Sequence, residues 1–394
     1  MTVTSRVRSA LAPSLKQHPA VWKGIVSLDQ RVQTLRHSIA NILPAAIWPS
    51  PRKIEIAVTA YCNLRCVGCR YGRDFMQGSQ LPLPLVLDLL DDAKQVGIWD
   101  VRFYGGEPLL HRDLPAMIER ARTLDLQTHV TTNGILLRHK IDELYAAGLR
   151  TITIGYYGTG AKYDTYVQRR QRFTELEAGV AAVRVRYGEA VTLRMNWLLM
   201  RPSCNLADLH AAVRFAERYA MTIQVDLVHY SLPYFTEGPD RWLQFRPEDR
   251  PRIERLVEEL IKLKRAFPNR FNQSELGLRS IPDWLVKGPD MKVPCDAYQM
   301  LWVGADGTVQ QCYVTFPLGN LHHARLSELA FTERHREAAR ASFKLRCPNC
   351  HCHYDRRVTK HAPSARHYAQ LVAPDAAPHP TTAPDGPAGQ VEYG

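Results

Sequence analysis

Three thiols crowd one short stretch of the chain, Cys62-Asn-Leu-Arg-Cys66-Val-Gly-Cys69, directly after an apolar run. Three thiolates hold three irons of a cubane cluster and leave the fourth iron without a protein ligand. Iron–sulfur clusters are ordinarily held by four cysteine thiolates, so a set that stops at three points to an iron reserved for another ligand. An open coordination position is what separates catalytic from structural zinc sites, and the same logic carries over. A zinc knuckle draws on the same residue types, and the triplet alone does not separate the two.

A second signal, Gly105-Gly106-Glu107-Pro108, stands immediately after the second expected strand. Paired glycines allow backbone to approach a ligand closely, Glu107 offers an acceptor for an ammonium group, and Pro108 stiffens the exit. The C-x3-C-x2-C triplet followed one strand–helix unit later by Gly-Gly-Glu-Pro resembles the radical S-adenosylmethionine (radical SAM) superfamily. The resemblance implies a [4Fe-4S] cluster on Cys62, Cys66 and Cys69, with SAM chelated at the open iron. It implies reductive cleavage of SAM to a 5′-deoxyadenosyl radical, which takes hydrogen from an unactivated carbon. Gly105, Gly106, Glu107 and Pro108 would then face the amino end of SAM, and a low-potential donor of flavodoxin or ferredoxin type would supply the electron.

Further positions follow from the same resemblance. Thr131-Thr132-Asn133-Gly134 closes the third strand where the family often carries a polar Asn-Gly. Thr153 is the expected ribose contact, with Gly155 standing where many relatives carry a carboxylate. Arg194 and Asn196 share a strand face and would reach the carboxylate or ribose of SAM, with Asp226 similarly placed on the sixth strand. Gly68 occupies the place of a common aromatic residue beside the adenine; either Tyr71 or Tyr104 substitutes, or the nucleoside sits differently. Cys204, in Arg201-Pro-Ser-Cys-Asn, is a candidate hydrogen-atom donor to a substrate radical, although a free cysteine is more often an inert buried residue.

A second cysteine group comprises Cys295, Cys312, Cys347, Cys350 and Cys352. Ala305-Asp-Gly307 is a hairpin turn signal that puts Cys312 on a return strand, and Cys347/Cys350 form a C-x2-C knuckle. The arrangement, with Gly319-Asn-Leu after the hairpin, resembles the SPASM/twitch extensions of radical SAM enzymes. Five cysteines are too few for a full SPASM module, so an auxiliary [4Fe-4S] cluster on Cys295, Cys312, Cys347 and Cys350 is expected, with Cys352 spare or exchanging for one of them. A tetrahedral zinc ribbon uses the same spacing; beside the N-terminal triplet, the cluster is favoured.

The elements that must position these groups are legible as alternation. Strands are predicted at 53–59, 101–104, 127–132, 151–155, 191–199 and 222–228, with helices near 82–97, 112–124, 138–148, 165–187, 205–220 and 247–266. Alternating strands and amphipathic helices mean repeated βαβ units and a parallel sheet. Six units are too few for a closed eight-stranded barrel and match the partial (β/α)6 barrel that the resemblance implies, with a small C-terminal Cys-rich β-hairpin/helix extension. The expected organisation is a helical segment at 1–50 (two short amphipathic helices), the barrel at 51–266, a linker at 267–294, the auxiliary domain at 295–358 and a disordered tail at 359–394. The last is rich in Ala and Pro and too poor in apolar residues to fold.

With 45% apolar and 23% charged residues the composition is that of a globular protein. No apolar run reaches membrane-spanning length, no signal peptide is expected, and nine cysteines, eight of them in two groups, suit a reducing, cytoplasmic setting. The net charge of +12 favours acidic partners, but the arginines are dispersed and nucleic acid is not an expected partner. The rival reading, a zinc protein binding nucleic acid, conflicts with the βα alternation and the three-thiol count. For substrate, Gly68 and the lack of a peptide-binding N-terminal module lean toward a small polar metabolite of sugar, aminosugar or nucleotide type in specialised biosynthesis. The alternative is a ribosomally made peptide or a protein.

Overall fold

The computed structural model describes residues 19–230, 241–313 and 315–361. Six strand–helix units run from β1 (Lys53–Thr59) through β2 (Asp100–Gly105), β3 (Gln127–Thr132), β4 (Thr151–Tyr156), β5 (Thr192–Leu199) and β6 (Thr222–Leu227). These strands are parallel neighbours in sequence order, and β7 (Met300–Val303) adds to the free edge of β1, also in parallel. Antiparallel β8 (Thr308–Cys312) and β9 (Thr315–Asn320) complete an open sheet of nine strands. The cysteine-rich extension is thus a continuation of the barrel sheet, joined through β1, and not a separate sheet.

The strands alternate in a way that decides where chemistry can occur. On β1, Ile54, Ile56 and Val58 are buried in the apolar layer under the helices, as are Val101 and Phe103 of β2, Ile152 and Ile154 of β4, and Met195 and Trp197 of β5. The intervening residues are polar: Lys53 and Glu55, Arg102, Thr153, Arg194 and Asn196, with Gln224 and Asp226 on β6. Parallel sheets covered on both faces normally read as continuous apolar runs. Here one face is polar because it bounds an interior chamber.

The covering helices are α1 (Pro19–Ile42), α2 (Leu83–Gln95), α3 (Leu114–Thr123), α4 (Leu137–Ala147), α5 (Ala161–Val167), α6 (Arg172–Tyr187), α7 (Leu206–Arg218), α8 (Arg250–Ala266) and α9 (Glu275–Lys287). Short α10 (Leu326–Leu329), α11 (Glu333–Phe343) and α12 (Tyr354–Lys360) belong to the extension.

Three expectations are corrected. The helix predicted at 165–187 is two, because Asp164 turns its carboxylate to the backbone N–H groups of Gln171 and Phe173, and Gln168 and Gln171 adopt left-handed backbone. The linker at 267–294 contains α9, capped by the Ser274 hydroxyl and burying Leu278, Ile281, Trp284 and Leu285; Pro282 inside it disguised the pattern. Among the described residues of the N-terminal segment there is one long helix, α1, which meets the body through Arg36, His37 and Ala40, while Val21, Leu28, Val32, Leu35, Ile39 and Ile42 stay exposed. Residues 1–18 and 362–394 lie outside the described residues, so the tail expected there is not addressed, and α12 runs past the expected boundary to Lys360.

Candidate functional site

The Cys62–Cys69 loop leaves β1 and is fixed from three sides. Arg65 and Val67 donate their backbone N–H groups to Val167 and Tyr166 at the end of α5. Asn63 accepts from the Asn133 side-chain amide at 2.8 Å, and the Arg73 guanidinium donates to the carbonyls of Cys66 and Cys69. All three thiols line one cavity of about 200 Å³, together with Gly68, Gly105 and Gly106. Burial pushes the Cys66 and Cys69 thiols up, and the neighbouring thiols push Cys66 further. Three thiolates lining one cavity repel one another unless a cation holds them, and the donor set fits an iron–sulfur cluster with one free corner.

Gly105 and Gly106 border that cavity, but their need for glycine comes from behind. A Cβ on Gly106 would lie 2.4 Å from the Tyr61 carbonyl oxygen and 2.5 Å from that of Ala60; on Gly105, with φ +141°, it would lie 2.3 Å from the Thr59 carbonyl oxygen. The close approach is between the ends of β2 and β1, where the register shifts, and it seats the thiol loop. Gly106 and Glu107 donate to the Thr59 and Tyr61 carbonyls at 2.8 Å each.

Glu107 faces the protein interior. Its carboxylate is fully buried, does not line the cavity, and accepts from Leu109 N–H (3.0 Å), the Thr132 hydroxyl (2.7 Å) and Asn133 N–H (2.8 Å). Burial outweighs these bonds and lifts its pKa from the ordinary 4.5 to about 7. It positions the end of β3, including Asn133, which does face the cavity. Pro108 is likewise buried at the start of a short 3-10 turn.

Aromatic rings stand around Gly68 in the cavity wall. Tyr71 and Tyr104, the expected alternatives beside the adenine, both line the cavity. The Tyr71 hydroxyl accepts from Ala305 N–H at 3.1 Å, and Trp302 donates its indole N–H to Tyr104. Tyr157 was missed: its ring covers Gly155, where a Cβ would come within 2.5 Å of the Tyr157 hydroxyl, so glycine at 155 makes room for the ring.

A second chamber of about 410 Å³ lies between the thiol triplet and the extension. Thr153 and Arg194 face this chamber only, and Asn196 and Asp226 border both cavities. Asn196 donates to Asp226 at 2.9 Å. Arg102 bonds Thr131 at 2.8 Å and Glu55 at 3.3 Å, and Lys53 lies 2.6 Å from Glu55; the two cations hold the Glu55 carboxyl well below the usual range against its burial. Arg102 and Tyr313, not singled out from sequence, line both cavities, as does His229, the start of a loop expected from sequence over the barrel mouth. Arg102 alternates with Tyr104 along β2, a period-two signal that could have revealed it.

Cys295, Cys312, Cys347, Cys350 and Cys352 all line the far wall of this chamber. Arg357, buried among them, donates to the carbonyls of Val293 and Cys350 and to the Asn349 side chain, and packs over Trp284, joining the knuckle to the segment before Cys295. Cys352 donates to Tyr313, whose hydroxyl lies 2.8 Å from His229 Nδ1. Cys204, the candidate hydrogen-atom donor, is 1% exposed and lines neither cavity, its thiol pushed up to about 11 by burial. Among the described residues no helix is long and apolar enough to cross a membrane.

Residues 56–198 match the family model for the radical SAM superfamily. A GTP 3′,8-cyclase of Chlorobaculum tepidum is 31% identical over 173 residues, 43% of this chain and 52% of that protein. One from Mycobacterium sp. (strain KMS) is 34% identical over 178 residues, 44% of this chain and 50% of that protein. The chain spans about half the length of the curated relatives it matches. Among solved structures, native anSMEcpe with bound AdoMet aligns with a TM-score of 0.60 at 16% identity, covering 82% of this chain and 97% of that one. Streptococcus suis SuiB bound to S-adenosylmethionine aligns with a TM-score of 0.58 at 16% identity, over 77% and 71%. These two share the fold.

Proposed function

The chain belongs to the radical SAM superfamily through residues 56–198, and we propose that it modifies a C–H bond of a small polar metabolite of sugar, aminosugar or nucleotide type. The observation that carries this reading is the character of the second chamber. Arg102, Arg194, Asn196, Gln224 and Asp226 turn charged and amide groups into about 410 Å³, a volume suited to a small molecule. The nucleotide end of the range agrees with relatives named GTP 3′,8-cyclase.

In this proposal Cys62, Cys66 and Cys69 hold the [4Fe-4S] cluster. Together with SAM, and with an electron from a flavodoxin- or ferredoxin-type donor, it supplies a 5′-deoxyadenosyl radical able to take hydrogen from an unactivated carbon. The protein contributes placement and exclusion of water. Gly105 and Gly106 let the thiol loop sit against β2, and Asn133, held by Glu107, presents a polar group to the first cavity. Tyr71, Tyr104 and Tyr157 wall that cavity against water and offer faces for a purine. Thr153, Arg194 and Asn196, expected from sequence as SAM contacts, border the second chamber with Asp226. In this proposal they are assigned to hydroxyl and anionic groups of the substrate instead, which restricts reaction to one C–H bond. The second cysteine group holds an auxiliary cluster, with Cys295, Cys312, Cys347 and Cys350 as ligands and Cys352 kept by Tyr313.

The test is anaerobic incubation with dithionite and SAM, following 5′-deoxyadenosine. Cys66→Ala is expected to abolish it, and wild-type cleavage by that variant removes the cluster assignment. Sugar and nucleotide phosphates are expected to raise turnover where peptides do not; stimulation by peptides alone refutes the substrate class.

A further inference from the structure

Helix α1 turns an apolar seam to solvent. Val21, Leu28, Val32, Leu35, Ile39 and Ile42 are each between 43% and 90% exposed. The helix is fastened elsewhere: Arg36 donates to the Ala46 carbonyl and lies over the Trp48 ring, His37 meets Tyr298, and Ala40 is buried. In sequence the apolar positions are 21, 25, 28, 32, 35, 39 and 42, unbroken alternating steps of four and three. That is the heptad pattern of a coiled-coil seam, narrower than the stripe of a helix seated on a globular core. A seam of this width is covered by one facing helix.

We propose that α1 pairs with α1 of a second copy of this chain in an antiparallel two-stranded coil, so that the protein is a dimer. Each of the six exposed side chains leaves roughly 100 Å² open. With position 32 set against 35, Val21 falls opposite position 46, past the end of the helix, so pairing buries the other five, about 1,000 Å² over both copies, the area a specific interface must reach. Charge sets the direction. In a parallel pair, Arg31 would stand against position 36 of the second copy, like charge against like. Antiparallel pairing with position 32 against 35 puts position 31 opposite Ser38 and sets Arg36 opposite position 29, an aspartate in the sequence. Attachment of the body near residues 36–47 supports the same choice, because antiparallel helices carry their two bodies at opposite ends.

The proposal is independent of the reaction catalysed. Sedimentation velocity and light scattering of the anaerobically purified full chain, across the micromolar range, are expected to give twice the chain mass of 44.8 kDa. Leu28→Glu with Leu35→Glu puts charge in the seam and is expected to return the monomer, raising the dissociation constant at least about 100-fold, with SAM cleavage retained. Asp29→Arg is expected to weaken pairing about tenfold; an unchanged dimer there overturns the antiparallel alignment. A wild-type monomer throughout overturns the pairing, whether the seam proves to take residues 1–18 of its own chain or phosphatidylserine vesicles. A dimer that survives the double substitution also overturns it.

Discussion

Replacing Glu107 with Gln should change how stability depends on pH, and the size of the change follows from burial. The carboxylate is fully buried and accepts three hydrogen bonds, yet its pKa rises from 4.5 to about 7. Desolvation of the anion therefore outweighs the donors. A group whose folded pKa lies above its unfolded value contributes stability that is complete below pH 4.5 and is lost as pH rises through 7, because the folded state binds the extra proton. The shift of about 2.5 units corresponds to about 3 kcal/mol. Glutamine imitates the neutral acid at every pH, with a constant cost of about 1–3 kcal/mol for the N–H it points at Asn133 N–H. Urea unfolding of the iron-free, reduced proteins should then show wild type gaining on Glu107→Gln by about 2.5 kcal/mol between pH 8 and pH 5. Histidines common to both proteins cancel in the difference. A gap that is flat with pH, or that widens as pH rises, would falsify the claim that burial dominates at Glu107.

Other substitutions separate roles within the site. Gly106→Ala drives a Cβ into the Tyr61 and Ala60 carbonyls and is expected to cost about 1–3 kcal/mol and to lower iron bound at the triplet; full loading would mean the loop can shift freely. Arg357→Met leaves the Val293 and Cys350 carbonyls without their buried donor. Iron is expected to fall from about eight to about four per chain, and an unchanged count removes the auxiliary site from Arg357's care. Cys204→Ala is expected to retain both 5′-deoxyadenosine formation and substrate turnover, and selective loss of turnover would restore the hydrogen-donor role.

Much of the frame was legible because it is local. The six barrel strands appear within a residue or so of their predicted limits, since each is a short apolar alternation bounded by turn residues. The thiol triplet, the Ala305-Asp-Gly307 turn and the return strand ending at Cys312 are fixed by neighbours in sequence. The cysteine spacing also brought out the family before any contact was known.

What each side chain meets was decided by the tertiary structure. Glu107 is four residues from Phe103 in sequence, yet it bonds Thr132 and Asn133 on another strand, and nothing local distinguishes a carboxylate facing a ligand from one facing inward. Tyr157, His229 and Tyr313 reach the first cavity from separate parts of the chain, and Cys204 sits beyond it. The same holds for α1, whose apolar repeat alone suggests packing on the body but whose anchoring by Arg36, His37 and Ala40 turns that repeat outward. Periodicity along a chain fixes which residues share a face. The partner of that face comes from residues hundreds of positions away, and only folding brings them into contact.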